Sequence, residues 1–405
     1  MKFLVIAQDL RISGTSEGIV SRSFIAKLRI AYPKSVIDVL YLKHHPSEDR
    51  LDLLPVNSIE IHLLKLKIPF HIYWFNKLYW RLFHTSLSQE YVHNQYAYFI
   101  KNKNTDTYDH IFVRSSGLDF EIILALEKTK ILEKAIINFH DPYPVFWNTG
   151  SNKDITNLEL FKFKKMLKIV KEAKVCMSPA KLLSQDMAHL YGSTKEFYVL
   201  PHQYSESVFD FSDRIKKDEK SDKIIISYHG AIQFSRNVDI LLDAYSELIE
   251  EDIAIKEKTE FILRLRGSHN KRLIEKYKIH TTIKILDELN FSQSSYEQMT
   301  NGSILILLED CSTHSNILVG KAPFLASLQK PVLSISPNRS ELQEIIKDKK
   351  YIAKYYDKHE IKVKLYELIK DRLQSKEKLH PFGDYFSDEN FKIMLDKILN
   401  CSTVV

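Results

Sequence analysis

The chain has 405 residues, 44% of them hydrophobic and 27% charged, and a formal net charge of +6; this is a globular composition, long enough for two or three domains. The basic excess is too small to point to nucleic acid and fits instead an anionic membrane surface or a phosphate-bearing ligand. Only 10 glycines are present, where average usage gives about 28, and they form neither a G-x-G-x-x-G fingerprint nor a G-x-x-x-x-G-K-[ST] loop, which excludes the familiar dinucleotide and phosphate loops.

Residues 3–7 form a continuous apolar run that reads as a buried parallel strand and is too short for a signal peptide. Helical spacing follows over 19–30, then a strand over 36–42. Residues 111–113 read as a strand ending at Arg114-Ser115-Ser116-Gly117, with a helix through Ala125. Residues 135–139 form a strand that stops at His140-Asp141-Pro142, and 174–177 another that stops at Ser178-Pro179, with its helix from Ala180. A charged stretch at 205–222 reads as a linker or long surface loop. The alternation then restarts: strands over 224–228, 261–265, 283–286, 304–308 and 332–334, helices over 238–249, 291–299, 322–328 and 341–346. Strands alternating with helices in this way predict doubly wound parallel sheets, here two similar α/β halves in tandem. Near the C-terminus, Ser387 followed by Asp388 and Glu389 reads as a helix cap, and Phe391, Met394, Leu395 and Ile398 form an apolar stripe. No uncharged apolar stretch approaches 18 residues, so no transmembrane helix is predicted. Cys176, Cys311 and Cys401 show no C-x-x-C spacing, which supports neither a disulfide framework nor a zinc site and points to a reducing compartment.

Residues 65–101 stand apart. Eleven aromatics lie between Phe70 and Phe99, and Lys65, Lys67, Lys77, Arg81 and Lys101 oppose the single acid Glu90. Two readings stand side by side: a helical hairpin packing its rings on the sheet, or a membrane or acceptor contact carried by Lys65, Lys67, Trp74, Lys77, Trp80 and Arg81.

Ligands of such halves bind beyond the carboxyl ends of the strands. Four loops there collect glycine or polar residues: 11–18, with Gly14 and Gly18 at a helix start; His140-Asp141-Pro142-Tyr143-Pro144; His229-Gly230 onward to Arg236; and 312–321, with Gly320-Lys321. His140 suits a hydrogen bond to a hydroxyl group or general-base work at neutral pH, beside a structural reading.

The second half resembles the family 4 glycosyltransferases of the GT-B fold. The residues that carry the resemblance are Tyr228-His229-Gly230-Ala231-Ile232 leading to Arg236-Asn237-Val238, the strand ending at Gly267, and the segment from 304–308 through Gly320-Lys321 to Lys330-Pro331-Val332-Leu333. The resemblance covers about 223–345. It implies α/β, GT-B architecture, two Rossmann-like domains with parallel sheets facing across a cleft. The boundaries expected are 1–204 for an acceptor-side domain, 205–222 for the linker, 223–380 for a nucleotide-sugar domain and 381–405 for a helix crossing back to the first domain. It implies a metal-independent, cofactor-free glycosyltransferase, retaining rather than inverting, that uses a UDP- or GDP-linked sugar. The acceptor is a saccharide or lipid-linked saccharide, in synthesis of bacterial surface polysaccharide or glycoconjugate. The protein is expected to be cytoplasmic, peripheral at the inner face of the membrane, with no nucleic-acid partner. Catalytic residues implied are His140, Asp141, Arg236 and Lys321, the last two clamping the leaving diphosphate. Donor contacts implied are Gly14, Gly18, Gly230, Arg236, Gly267, Leu289, Glu309, Asn316, Gly320 and Lys321. The chain departs from the family in three places: Asn316 and Phe324 occupy the positions of the Glu-x7-Glu pair, and Ala231 replaces the arginine after the glycine. Phenylalanine accepts no hydrogen bond from a ribose; for Glu309 and Asp310, at the end of the preceding strand, two readings stand side by side, a substitute acid or a charged loop. These departures also support a second reading, a catalytically inactive GT-B-like binding or scaffold subunit.

Overall fold

The computed structural model describes residues 1–47, 49–115, 120–144, 154–192, 195–211, 222–232, 236–267 and 269–401. Gly117, residues 212–221 of the charged stretch, and Gln233, Phe234 and Ser235 lie outside the described residues. The chain divides into two compact units, Met1–Val208 with Ser387–Val405, and Phe209–Phe386.

The first unit runs β1 (Lys2–Ala7), α1 (Ser16–Ala31), β2 (Val36–Lys43), β3 (Ser58–Leu63), α2 (Phe70–Phe83), α3 (Leu87–Asn102), β4 (His110–Arg114), α4 (Glu121–Leu124), β5 (Ala135–Asn138), α5 (Asn157–Glu172), β6 (Val175–Ser178), α6 (Lys181–Leu190) and β7 (Phe197–Val199). Its sheet has the order β3-β2-β1-β4-β5-β6-β7, and neighbouring strands are parallel. The apolar runs at 3–7 and 111–113 are central strands, and each of their residues is fully buried, as a sheet covered on both faces requires. The strand order reverses between β1 and β4, which makes the carboxyl ends of those two strands the topological switch point where open α/β sheets bind ligands.

The second unit runs β8 (Ile224–Ala231), α7 (Asp239–Glu251), α8 (Ile253–Lys258), β9 (Thr259–Arg266), α9 (Asn270–Tyr277), β10 (Ile283–Asp287), α10 (Phe291–Thr300), β11 (Gly302–Leu308), β12 (His314–Ser315), α11 (Ala322–Ser327), β13 (Val332–Ser336), β14 (Arg339–Ser340), α12 (Glu341–Ile345), β15 (Ile352–Lys354) and α13 (Lys358–Gln374). Its parallel sheet has the order β10-β9-β8-β11-β13-β15, with the reversal between β8 and β11; β12 and β14 pair separately. Two Rossmann-like units with parallel sheets are therefore present, consistent with a GT-B fold.

Besides the two-residue strands β12 and β14, three strands of the main sheets are absent from the sequence reading: β3, β7 and β15. All three end their sheets. β7 and β15 have three residues each, and β3 alternates Ile59, Ile61 and Leu63 with Glu60 and His62 and buries none of its residues fully. The helix expected through Ala125 is interrupted: α4 has four residues and continues as a 3-10 turn over Ala125–Lys128.

α14 (Asp388–Cys401) belongs to the first unit and lies on α1. Phe391 meets Phe24 edge-on at 6.2 Å. Asp388 pairs with Lys27, and Asp396 accepts the Tyr32 hydroxyl. The backbone N–H of Asn390 donates to the Ser387 hydroxyl at 3.1 Å, a cap that contributes about 1 kcal/mol in typical helices.

The aromatic segment is a helical hairpin with unlike arms. α3 buries Val92, His93, Tyr96, Ala97 and Ile100, whereas α2 has no buried residue. Phe70 is 81% exposed, Trp74 63% and Leu82 64%. Trp80 is half-buried, edge-on to Phe161 of α5 at 5.8 Å. Packing on the core thus accounts for Tyr96 of α3, while Tyr98 stays exposed, and it does not account for most of the rings of α2.

Candidate functional site

In the second unit, polar side chains gather beyond the ends of β8 and β11. Lys321, just before α11, donates from Nζ to the carbonyl of His229, and its ammonium sits over the Tyr228 ring, 4.8 Å from the centroid. Burial, and then the charge of Arg236, push its pKa down to about 7. Among the described residues no carboxylate forms an ion pair with it. Gly230 makes this approach possible: a Cβ there would meet the Lys321 ammonium. Tyr228 is fully enclosed and donates its hydroxyl to the Ala231 carbonyl at 3.1 Å. His229 is also buried; its Nδ1 shares a hydrogen with Ser294 Oγ at 2.8 Å, and burial, with Lys321 and Arg264, pushes its pKa to about 3, so the ring is neutral.

Arg236 lies half-buried at the same strand ends and acts electrostatically on Lys321, Tyr228, Glu309 and Asp310. Glu309 is 2% exposed. Burial pushes its carboxyl up to about 8, against the hydroxyls of Ser336 and Ser340 and the charge of Arg236. Neither of its oxygens meets hydrogen-bond geometry with a described group. Asp310 is more accessible and accepts the Ser312 hydroxyl at 3.1 Å. Asn316 is fully buried, and Phe324 packs edge-on to Phe291 at 6.2 Å. Phe324 is thus part of the core, where the resembling family has an acid.

Gly230, Arg236, Glu309 and Lys321 therefore converge, with Gly320 adjacent in sequence. Gly267 and Leu289 follow β9 and β10, and no hydrogen bond among the described residues ties them to Lys321. Lys330, from the Lys-Pro-Val-Leu run, has a structural job: its Nζ donates to the carbonyls of Gln298, Met299 and Gly302 at 2.6–2.8 Å, fixing the turn from α10 into β11.

In the first unit the loop after β1 folds onto the start of α1. Asp9 is buried and takes Arg11 side-on, with Arg11 Nη2 at 2.6 Å and Nε at 3.1 Å, and accepts the Thr15 hydroxyl at 3.0 Å. Thr15 caps α1 through the Gly18 amide at 3.3 Å. Gly18 is required by contact: a Cβ would come within 2.5 Å of the Arg11 carbonyl. Gly14 takes a left-handed φ of +88° in open space.

His140 and Asp141 follow β5. His140 is 3% exposed, stacked on His202 at 5.7 Å, and its pKa is driven well down by burial, Arg114 and His202. Asp141 is half-buried, pushed up to about 7 by burial and by Glu17. A neutral imidazole beside a carboxyl that titrates near neutrality suits donation and acceptance at a sugar hydroxyl. Sequence reading passes over Arg114, Asn138 and His202 at this end of the sheet. The visible signal was Arg114, a charge closing the apolar run of β4.

Among the described residues no group of three or more His, Cys, Asp or Glu is gathered to hold a metal ion, and no helix is long and apolar enough to cross a membrane. No family model matches the sequence, and no curated protein matches it. Solved structures match over the whole chain. The lipopolysaccharide outer core galactosyltransferase WaaB, in its apo form, shares 13% identity with a TM-score of 0.60, covering 99% of each chain. A variant of S. aureus TarM in complex with fondaparinux, α-GlcNAc-glycerol and UDP shares 9% with a TM-score of 0.64, covering 100% of each. S. aureus MnaA, solved with UDP, shares 15% with a TM-score of 0.53, covering 99% of this chain and 97% of its own. At these identities the likeness establishes the fold.

Proposed function

We propose that this protein transfers a sugar from a UDP- or GDP-linked donor, held mainly by the second unit, to a saccharide or lipid-linked acceptor on the first, with retention at the anomeric carbon. The observation that carries the reading is Lys321: a half-buried ammonium at the switch point of the sheet, answered by a carbonyl and a ring face and by no carboxylate among the described residues. A leaving diphosphate supplies the missing charge. Arg236 shares the clamp, and Asp310 is the more accessible acid for the donor's hydroxyls. His140 and Asp141 serve the acceptor side. That WaaB is a galactosyltransferase, and that TarM and MnaA were solved with UDP, supports a nucleotide-sugar chemistry here.

A binding subunit without turnover is the second reading, favoured by Phe324 in the core. Calorimetry against a panel of nucleotide sugars, followed by product analysis, separates the two. The transferase reading expects one donor to bind, weakened in Arg236→Ala and Lys321→Ala, and to be consumed with acceptor. Binding unchanged in both variants would sink it.

The protein would work at the cytoplasmic face of a membrane, with α2 as its contact. Residues 65–89 contain no acid and include Lys65, Lys67, Lys77 and Arg81. Exposed Phe70, Tyr73, Trp74, Leu78 and Leu82 lie beside them, a combination suited to anionic headgroups. Vesicles with anionic lipid should float the protein, neutral vesicles should do so far less, and the pair Trp74→Ser with Leu78→Ser should release it. Flotation indifferent to lipid charge and to this pair would discard the contact.

A further inference from the structure

Arg114 closes β4 at the switch point of the first unit and is 3% exposed. Its Nε donates to Ser21 Oγ at 3.1 Å, and the guanidinium lies over the Phe24 ring at 4.5 Å. No carboxylate among the described residues pairs with it. A buried cation without a counter-charge is costly, and native chains neutralise or satisfy such groups. The same unit shows the usual remedies nearby: Arg11 has Asp9, and Arg22 donates to the carbonyls of Leu10, Asp49, Arg50 and Val208.

Donors around Arg114 are also unused. Asn138, its register partner on β5, has Nδ2 buried without an acceptor. Ser115 Oγ and His140 Nε2 are likewise buried and unpartnered. His140 and His202 both feel the Arg114 charge, which helps keep their rings neutral. Each of Ser115, Asn138 and His140 is more than nine-tenths buried. A fixed cation with three idle polar groups is an arrangement completed by an oxyanion.

We propose that this switch point is an anion site, in which Arg114, assisted by Ser115, Asn138 and His140, binds a phosphate or carboxylate group. Asp141 and Glu17 stand at the same end of the sheet but do not pair with Arg114, so the cation is left for a ligand. If the sugar-transfer reading holds, the group belongs to the acceptor, which is then an anionic saccharide or a phosphate-linked one; this last step rests on that reading, and the site itself does not.

The experiment uses the full chain carrying Arg236→Ala and Lys321→Ala, which removes phosphate binding at the second unit. Inorganic phosphate is titrated by calorimetry, with acetate as the carboxylate arm. Phosphate, acetate or both should bind, and Arg114→Gln should weaken that binding at least about tenfold. Undiminished binding in Arg114→Gln, or no binding of either ion at millimolar concentration, overturns the site. Should Arg114→Gln not fold, the imidazole resonances of His140 and His202 in the unmutated protein decide: they shift with the anion if the site is real and stay fixed if it is not. Nucleotide-sugar binding by the wild-type chain is read separately, so failure here leaves the donor assignment standing, and the converse.

Discussion

Lys321→Ala should cut the catalytic efficiency of sugar transfer by about 10²–10³-fold, the loss typical of one preorganised charge stabiliser at a reacting centre. The effect should fall on kcat as well as on donor binding, because charge on the diphosphate grows as the glycosidic bond breaks. A pH signature accompanies it. In the free protein the ammonium titrates near 7; a bound diphosphate pulls that value back up. Donor affinity should therefore fall by up to about tenfold per pH unit above neutrality, with proton uptake on binding at pH 8, seen as a buffer-dependent heat. Stability moves the other way. Between about 7 and the ordinary lysine value of 10.5 the unfolded chain holds a proton at this group that the folded one has released, so the Lys321 contribution to stability rises with pH across that window. A donor affinity flat from pH 6 to 9, with no proton uptake, would show that Lys321 does not meet the diphosphate.

The largest loss of stability should come from Arg22. This side chain is fully buried on α1, its pKa pushed down to about 10 by burial, and it gathers four carbonyls that are distant in sequence, from Leu10 after β1, Asp49 and Arg50 after β2, and Val208 at the boundary of the unit. Arg22→Ala should cost about 3–5 kcal/mol, since all four acceptors lose their donor at once. Arg22→Lys should recover little, because one ammonium has three hydrogens and no fork. Urea unfolding followed by circular dichroism measures both. A cost under about 1 kcal/mol would mean that water replaces the guanidinium.

Central strands are legible in the sequence because burial on both faces writes itself as an uninterrupted apolar run, as in residues 3–7 and 304–308. Edge strands lack that mark: β3 carries Glu60 and His62, and β7 and β15 are too short for a pattern. Lys321 and Arg236 stand out in the sequence only through the family resemblance, Arg236 in the segment after Gly230 and Lys321 in the one before Lys330-Pro331, and the fold brings these two distant segments to the same strand ends. The Arg114 site is not legible, because residues 114, 138 and 202 meet only once β4, β5 and β7 lie parallel with their carboxyl ends together. Nor does composition separate the arms of the hairpin. Tyr96 at the core and Tyr73 at the surface sit in equally aromatic surroundings, and only the fold decides which face is covered.

That uncovered arm equips the molecule with an optical probe. Two of the three tryptophans of the chain are on α2, one facing solvent and one shielded by Phe161. An indole in water emits at longer wavelength than one in hydrocarbon, and an aqueous quencher reaches the first far more readily than the second. The native emission spectrum thus has a component that depends on what lies against one helix, so docking of that helix on any surface can be followed in unlabelled protein.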